Sequence, residues 1–122
     1  MVGWRPSRRE ICGLQVNDVS LIGFGSHRGE VIAAAKWGAN ERVLEVPIAA
    51  CGSHEDLLHS ALGFPAVIAF GADRSGPWIR SHRGRRAISV VYQPRSEFGN
   101  YVPTVMGRRY DAFVWLEDTT PP

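Results

Sequence analysis

The chain has 122 residues, of which 44% are hydrophobic and 21% charged, with 14 basic and 12 acidic side chains and a formal charge of +2. This is the composition of one compact domain, and it excludes collagenous, coiled-coil, disulfide-scaffold and membrane-spanning classes. So small a net charge gives no argument for a polyanion partner, although the bases are unusual in kind: thirteen are Arg and only Lys36 is Lys.

Residues 1–10 are polar, basic and proline-containing, with neither alternation nor a helical stripe, and 1–17 read as a poorly ordered lead-in to a single domain, or fragment of one, over 18–122. Residues 19–24 (VSLIGF) form a short apolar run of strand length. Residues 30–37 (EVIAAAKW) lie between Gly29 and Gly38 and are expected to pair with that run through a turn over 25–29. Residues 42–48 alternate Leu44, Val46 and Ile48 and carry Pro47, the pattern of an edge strand.

A helix is expected to open at Ser53, whose hydroxyl can accept the amide hydrogen of Asp56. Leu57, Leu58, Ala61 and Leu62 supply its apolar stripe, and Gly63 with Pro65 ends it. Residues 66–70 (AVIAF) are apolar throughout, as in an interior strand covered on both faces. Strands are also expected at 86–92 and 112–116, with a loop over 93–111 between them and a hairpin turn at Arg83-Gly84. The fold class is therefore α/β, a layered mixed sheet with few helices.

Each of the four histidines stands beside a serine, but sequence neighbours diverge on a strand or a helix, so the pattern is not a nucleophile with its base. No serine carries the Gly-x-Ser-x-Gly elbow. His54 and His59 are five apart, about 140° around a helix, and there is no Cys-x-x-Cys, so no metal centre is expected. Gly23, Gly25 and Gly29 do not have the spacing of a dinucleotide turn. Cys12 and Cys51 are expected to be free thiols of a cytoplasmic protein. The best local candidate is Ser26-His27-Arg28, with His27 a possible base near neutral pH. The run from Trp78 to Arg86 could bind phosphates and stack a base, but its plain reading is a solvated charged turn.

Three stretches carry a family resemblance: LIGFGSHRGEVIAAAKWG from Leu21, GSHEDLLH from Gly52, and RRAISVVYQPRSEFGNYVPTVMGRRYDAFVWLEDT from Arg85. In this order they resemble the C-terminal portion of the erythromycin esterase family. The resemblance implies part of a larger three-layer α/β/α hydrolase that opens an ester, in the founding members a macrolactone, with water activated by His and Glu. The family's principal catalytic His and Glu lie upstream of the resembling segment, so none is carried over here. The chain is expected to be a truncated part, inactive alone, with Ser26, His27, Arg28, Lys36 and Trp37 lining the edge of the substrate cleft. An ester or macrolide-like small molecule is the expected ligand, with no cofactor, and the exposed sheet edge is expected to favour self-association. The alternatives are a non-catalytic structural or interaction remnant and, further off, an Arg-rich nucleic-acid module.

Overall fold

The computed structural model describes residues 19–71, 76–89 and 91–122, with 96–98 described by backbone only; the expected lead-in over 1–17 lies outside them. In chain order the elements are β1 (Ile22–Ala33), β2 (Arg42–Val46), α1 (His54–Ala61), β3 (Ala66–Ala69), α2 (Pro77–Arg80), β4 (Arg83–Arg86), β5 (Tyr101–Thr104), α3 (Met106–Arg109) and β6 (Ala112–Thr119), with a 3-10 segment at Pro94–Asn100. A four-stranded sheet has the order β2-β1-β6-β3, and β4 pairs with β5 in a separate ribbon. The β1–β6 pair is parallel, whereas β1–β2 and β3–β6 are antiparallel, so the chain is α/β with a mixed sheet and three short helices.

The expected hairpin over 25–29 is absent. β1 runs without a turn for 12 residues, and its glycines serve close approach instead of chain reversal. A Cβ on Gly25 would stand 2.6 Å from Phe113 Cζ. Gly29 has φ 136°, and a Cβ there would meet the Thr119 carbonyl oxygen at 2.2 Å. Gly29 is also the hinge of the sheet, in register with Val46 of β2 on one side and Thr119 of β6 on the other.

β2 is an edge strand as its alternation implies, with Leu44 and Val46 buried; Ile48, beyond Pro47, is exposed. β3 is not interior. It forms the opposite edge, packs Ile68 inward and leaves Val67 73% exposed. Among the described residues of the expected strand over 86–92, only Arg86 belongs to a strand, and Val91 makes a single parallel bridge to Ala34. Trp78–Arg80 lies in a helical turn, Arg83-Gly84 lies inside β4, and the expected loop over 93–111 contains β5 and α3.

The helix α1 is capped as its sequence predicts: Ser53 Oγ accepts the Asp56 amide at 3.1 Å. The Asp56 carboxylate in turn accepts the Gly52 amide at 2.9 Å, and Gly63 ends the helix at φ 69°. Two apolar clusters follow. Leu58, Phe70, Met106, Phe113 and Trp115 fill the space beneath α1, α2 and α3, and Ala33, Leu44, Val46 and Tyr92 close the β1–β2 end. The other sheet face carries Ile22, Phe24 and Val67 exposed, with Phe24, Val114 and Val67 in register across three strands.

Candidate functional site

Below Gly29, β1 has β6 on one side and, among the described residues, no strand on the other. Two arginines of β4 cover that free edge. Arg85 Nη2 donates to the Phe24 carbonyl. Arg86 Nη1 donates to the carbonyls of His27 at 3.2 Å and Ser26 at 3.5 Å, and Nη2 donates to Pro47 at 2.7 Å. The planar guanidinium can serve three carbonyls at once because its donors are fixed in a fork. Arg86 is 4% exposed, so this part of the arginine run is buried structure and not a solvated turn.

Glu55, in the first turn of α1, accepts the Arg86 amide with both carboxylate oxygens, at 3.2 and 3.1 Å. Burial pushes its carboxyl above the ordinary 4.5; its own amide, the Arg86 amide and the charges of Arg85 and Arg86 act the other way. A pocket of about 210 Å³ opens here, with Ser26, Glu55, Arg85, Arg86 and Leu116 in its wall.

Ser26 and His27 are both buried, and Arg28 is exposed in an ion pair with Asp118 at 3.1 Å. The His27 ring stacks on His59 of α1 with centroids 3.7 Å apart and planes 5° from parallel. His59 Nδ1 hydrogen-bonds Glu117 Oε1 of β6, and the indole N–H of Trp115 donates to Glu117 Oε2 at 3.0 Å. Burial holds His27 below the ordinary 6.5, followed by the charge of His59; Glu117 opposes, and Arg28 and Arg86 add to the lowering. His54 takes a different direction from His59: its Nε2 donates to the Thr104 carbonyl at 2.8 Å, and its ring meets Trp78 edge-on.

The five residues expected at the cleft do not converge. Ser26 and His27 sit on the covered edge of β1, whereas Lys36 and Trp37 line a cavity of about 250 Å³ after the end of that strand, together with Ile32, Glu41 and Val91. From Ser26 to Ala33 the strand alone spans roughly 23 Å. A wider concavity of about 630 Å³ lies between Ala35, Arg42, Leu44 and Gln93 to Arg95; it has room for a small molecule, and among the described residues no acid or histidine lines it. Among the described residues no serine hydroxyl hydrogen-bonds a histidine ring.

The erythromycin esterase family model matches residues 14–119. The chain belongs to the erythromycin esterase family. No solved structure matches it significantly. The match spans the six strands and three helices of the described residues, so the Glu55–Arg86 clamp and the His27–His59 stack both lie inside the erythromycin esterase domain. Sequence reasoning did not single out Glu55 as the buried carboxylate that holds β4, because an acid there also fits the helix cap; its place in the GSHEDLLH stretch was the available signal. The His59–Glu117 contact carried no local signal at all, since 58 positions separate the two residues. Among the described residues no helix is long and apolar enough to cross a membrane, and Cys51 is an exposed free thiol.

Proposed function

We propose that the chain is the C-terminal part of a cytoplasmic erythromycin esterase-like hydrolase unit. It supplies the sheet and one wall of an ester-binding cleft, and the His and Glu that activate water are carried on family sequence outside these residues. The family match over residues 14–119 carries this reading. Two features of the structure support it. Acyl-ester hydrolysis needs an activated water and donors aimed at the developing oxyanion. Here most of the donors near Ser26 and His27 are already engaged, Arg86 by three backbone carbonyls and Arg85 Nη2 by Phe24, and among the described residues the buried Arg85 Nε is left without a partner. The second feature is the exposed apolar sheet face of Ile22, Phe24 and Val67, which a three-layer hydrolase would cover with helices.

Within this reading His27 and Arg28 touch the ester side of the cleft, Ser26 shapes the small pocket beside Glu55, and Lys36 and Trp37 form the far rim. The ligand class is an ester, such as a macrolactone. The test is a His27→Ala, Arg28→Ala double variant in a longer family protein that joins these residues to the upstream His and Glu motifs. Its kcat/KM should fall at least about tenfold, the loss of about 1.4 kcal/mol of transition-state stabilisation. Undiminished turnover would overturn the assignment of these residues to the cleft. The same apolar face favours one second reading, a non-catalytic interaction domain, which would bind a partner in place of an ester.

A further inference from the structure

His27, His59 and Glu117 come from β1, the last turn of α1 and β6, and each offers one ligand atom, all lying within 4.8 Å of one another. The cluster is built rather than incidental. Glu117 is only 14% exposed at its side chain, and its second oxygen is held by the indole N–H of the fully buried Trp115. His27 is 8% exposed, and the Ala49 amide donates to its Nδ1 at 3.5 Å, a bond long and weak enough to yield when the ring takes a metal. His59 is the open member, with its side chain 42% exposed.

We propose that these three side chains form a divalent transition-metal site, with Zn²⁺ the ion that suits them best. Two imidazoles and one carboxylate match the ligand preferences of Zn²⁺ and its first-row neighbours, whereas Mg²⁺ and Ca²⁺ require shells of oxygen. Bonds of about 2.1 Å place tetrahedral ligand atoms about 3.4 Å apart, so the widest gap in the cluster must close by little more than an ångström while the hydrogen-bonded His59–Glu117 pair parts. The stacked rings show which part moves. Two parallel imidazoles cannot aim their lone pairs at one point, so the more exposed ring, His59, turns about its Cβ–Cγ bond and leaves the stack. The proton with which His59 Nδ1 now bonds Glu117 moves to Nε2 by exchange with solvent, so that a neutral imidazole and a carboxylate become the ligands.

The surrounding charges permit this. Arg28 is paired with Asp118, and the Arg86 guanidinium is bound to carbonyls, which leaves Glu117 as the anion facing the ion. Trp115 to Glu117 is the second-layer hydrogen bond that fixes a metal carboxylate. With three protein ligands and His59 open to solvent, one coordination position remains for water or a small anionic ligand. The site shares His27 with the proposed cleft, and metal binding by the chain is measured without any ester or turnover.

The experiment is a titration of the full chain with Zn²⁺ against a competing chelator, repeated with Co²⁺ for its visible absorption. His59→Ala and Glu117→Gln are compared with two controls outside the cluster, His82→Ala and Cys51→Ser. The site predicts one-to-one binding that weakens at least about tenfold in each cluster variant and is unchanged in both controls. In the unaltered chain, Zn²⁺ should shift the ring ¹⁵N resonances of His27 and His59 and leave those of His54 and His82 in place, which requires no variant to fold. No binding, binding that survives both cluster variants, or binding lost in Cys51→Ser would overturn the proposal.

Discussion

The Glu55 carboxylate holds the Arg86 amide through both oxygens, at 3.2 and 3.1 Å, across 31 positions of sequence. This joins the first turn of α1 to β4, and the Arg86 side chain carries the link onward to β1 and Pro47. Glu55→Ala leaves a buried amide without an acceptor and opens a cavity, at a cost of about 3 kcal/mol. Glu55→Gln retains an acceptor oxygen in the same shape and should cost about 1 kcal/mol. Urea unfolding midpoints of the two variants measure the gap, and equal losses would show that the carboxyl is not holding the amide.

Arg86→Lys should also destabilise, by about 3 kcal/mol or more, although it preserves the charge. An ammonium at the end of a flexible stem cannot reproduce the fork that serves Ser26, His27 and Pro47 together. Lysine at the exposed Arg28 should change stability by less than about 0.5 kcal/mol, because its partner Asp118 is exposed as well. Similar losses at the two positions, read from the same unfolding curves, would contradict the buried role of Arg86.

Part of this arrangement was legible in the sequence. The start and end of α1 were, since Ser53 and Gly63 act on backbone groups within a few residues of themselves. β1 was not, because a glycine that turns a chain and a glycine that admits Phe113 or Thr119 look the same without their distant neighbours. The apolar run of β3 implied two covered faces, but it sits at an edge where Val67 meets solvent. At the site, His27 could be singled out by residue type, whereas His59 and Glu117 reach it only through the β1–β6 register and the packing of α1.

Acidification should unfold the protein through its buried histidines. His54 is fully buried, and burial, with help from Arg83 and Arg85, holds it below the ordinary 6.5 against the opposing bond to Thr104; its Nδ1 has no partner. A folded value below the unfolded one means that the unfolded chain takes up the proton first. The stabilisation is complete above pH 6.5 and is lost as pH falls towards the folded value, at up to about 1.4 kcal/mol per pH unit for each proton. His27 acts in the same sense. Glu55, raised above 4.5, acts oppositely, its contribution being present in acid and lost as pH rises through its folded value. Urea midpoints should therefore fall between about pH 7.5 and about pH 5.5, less steeply in His54→Gln. An unchanged slope in that variant would place the titration elsewhere.

Gly29→Ala should disrupt the sheet where β1 changes partners. A methyl group there meets the Thr119 backbone at 2.2 and 2.5 Å, and φ 136° is strained for any L side chain. The expected cost is about 3 kcal/mol or more. Gly38→Ala, at φ 82° with nothing within 4 Å, should cost only about 1 kcal/mol. Amide hydrogen exchange at Thr119 and Val46 locates the damage, and two equal, small losses would remove Gly29 from its role as the hinge.

Hydrolysis of erythromycin and of a simple aryl ester by the purified, folded 122-residue chain, with its oligomeric state fixed by light scattering, tests the central claim most directly. The account predicts a self-associating protein with no turnover above buffer, because the His and Glu that activate water are assigned to family sequence outside these residues. Turnover by the monomer that is abolished in His27→Ala would contradict it and would place a complete ester-hydrolysing site within these residues.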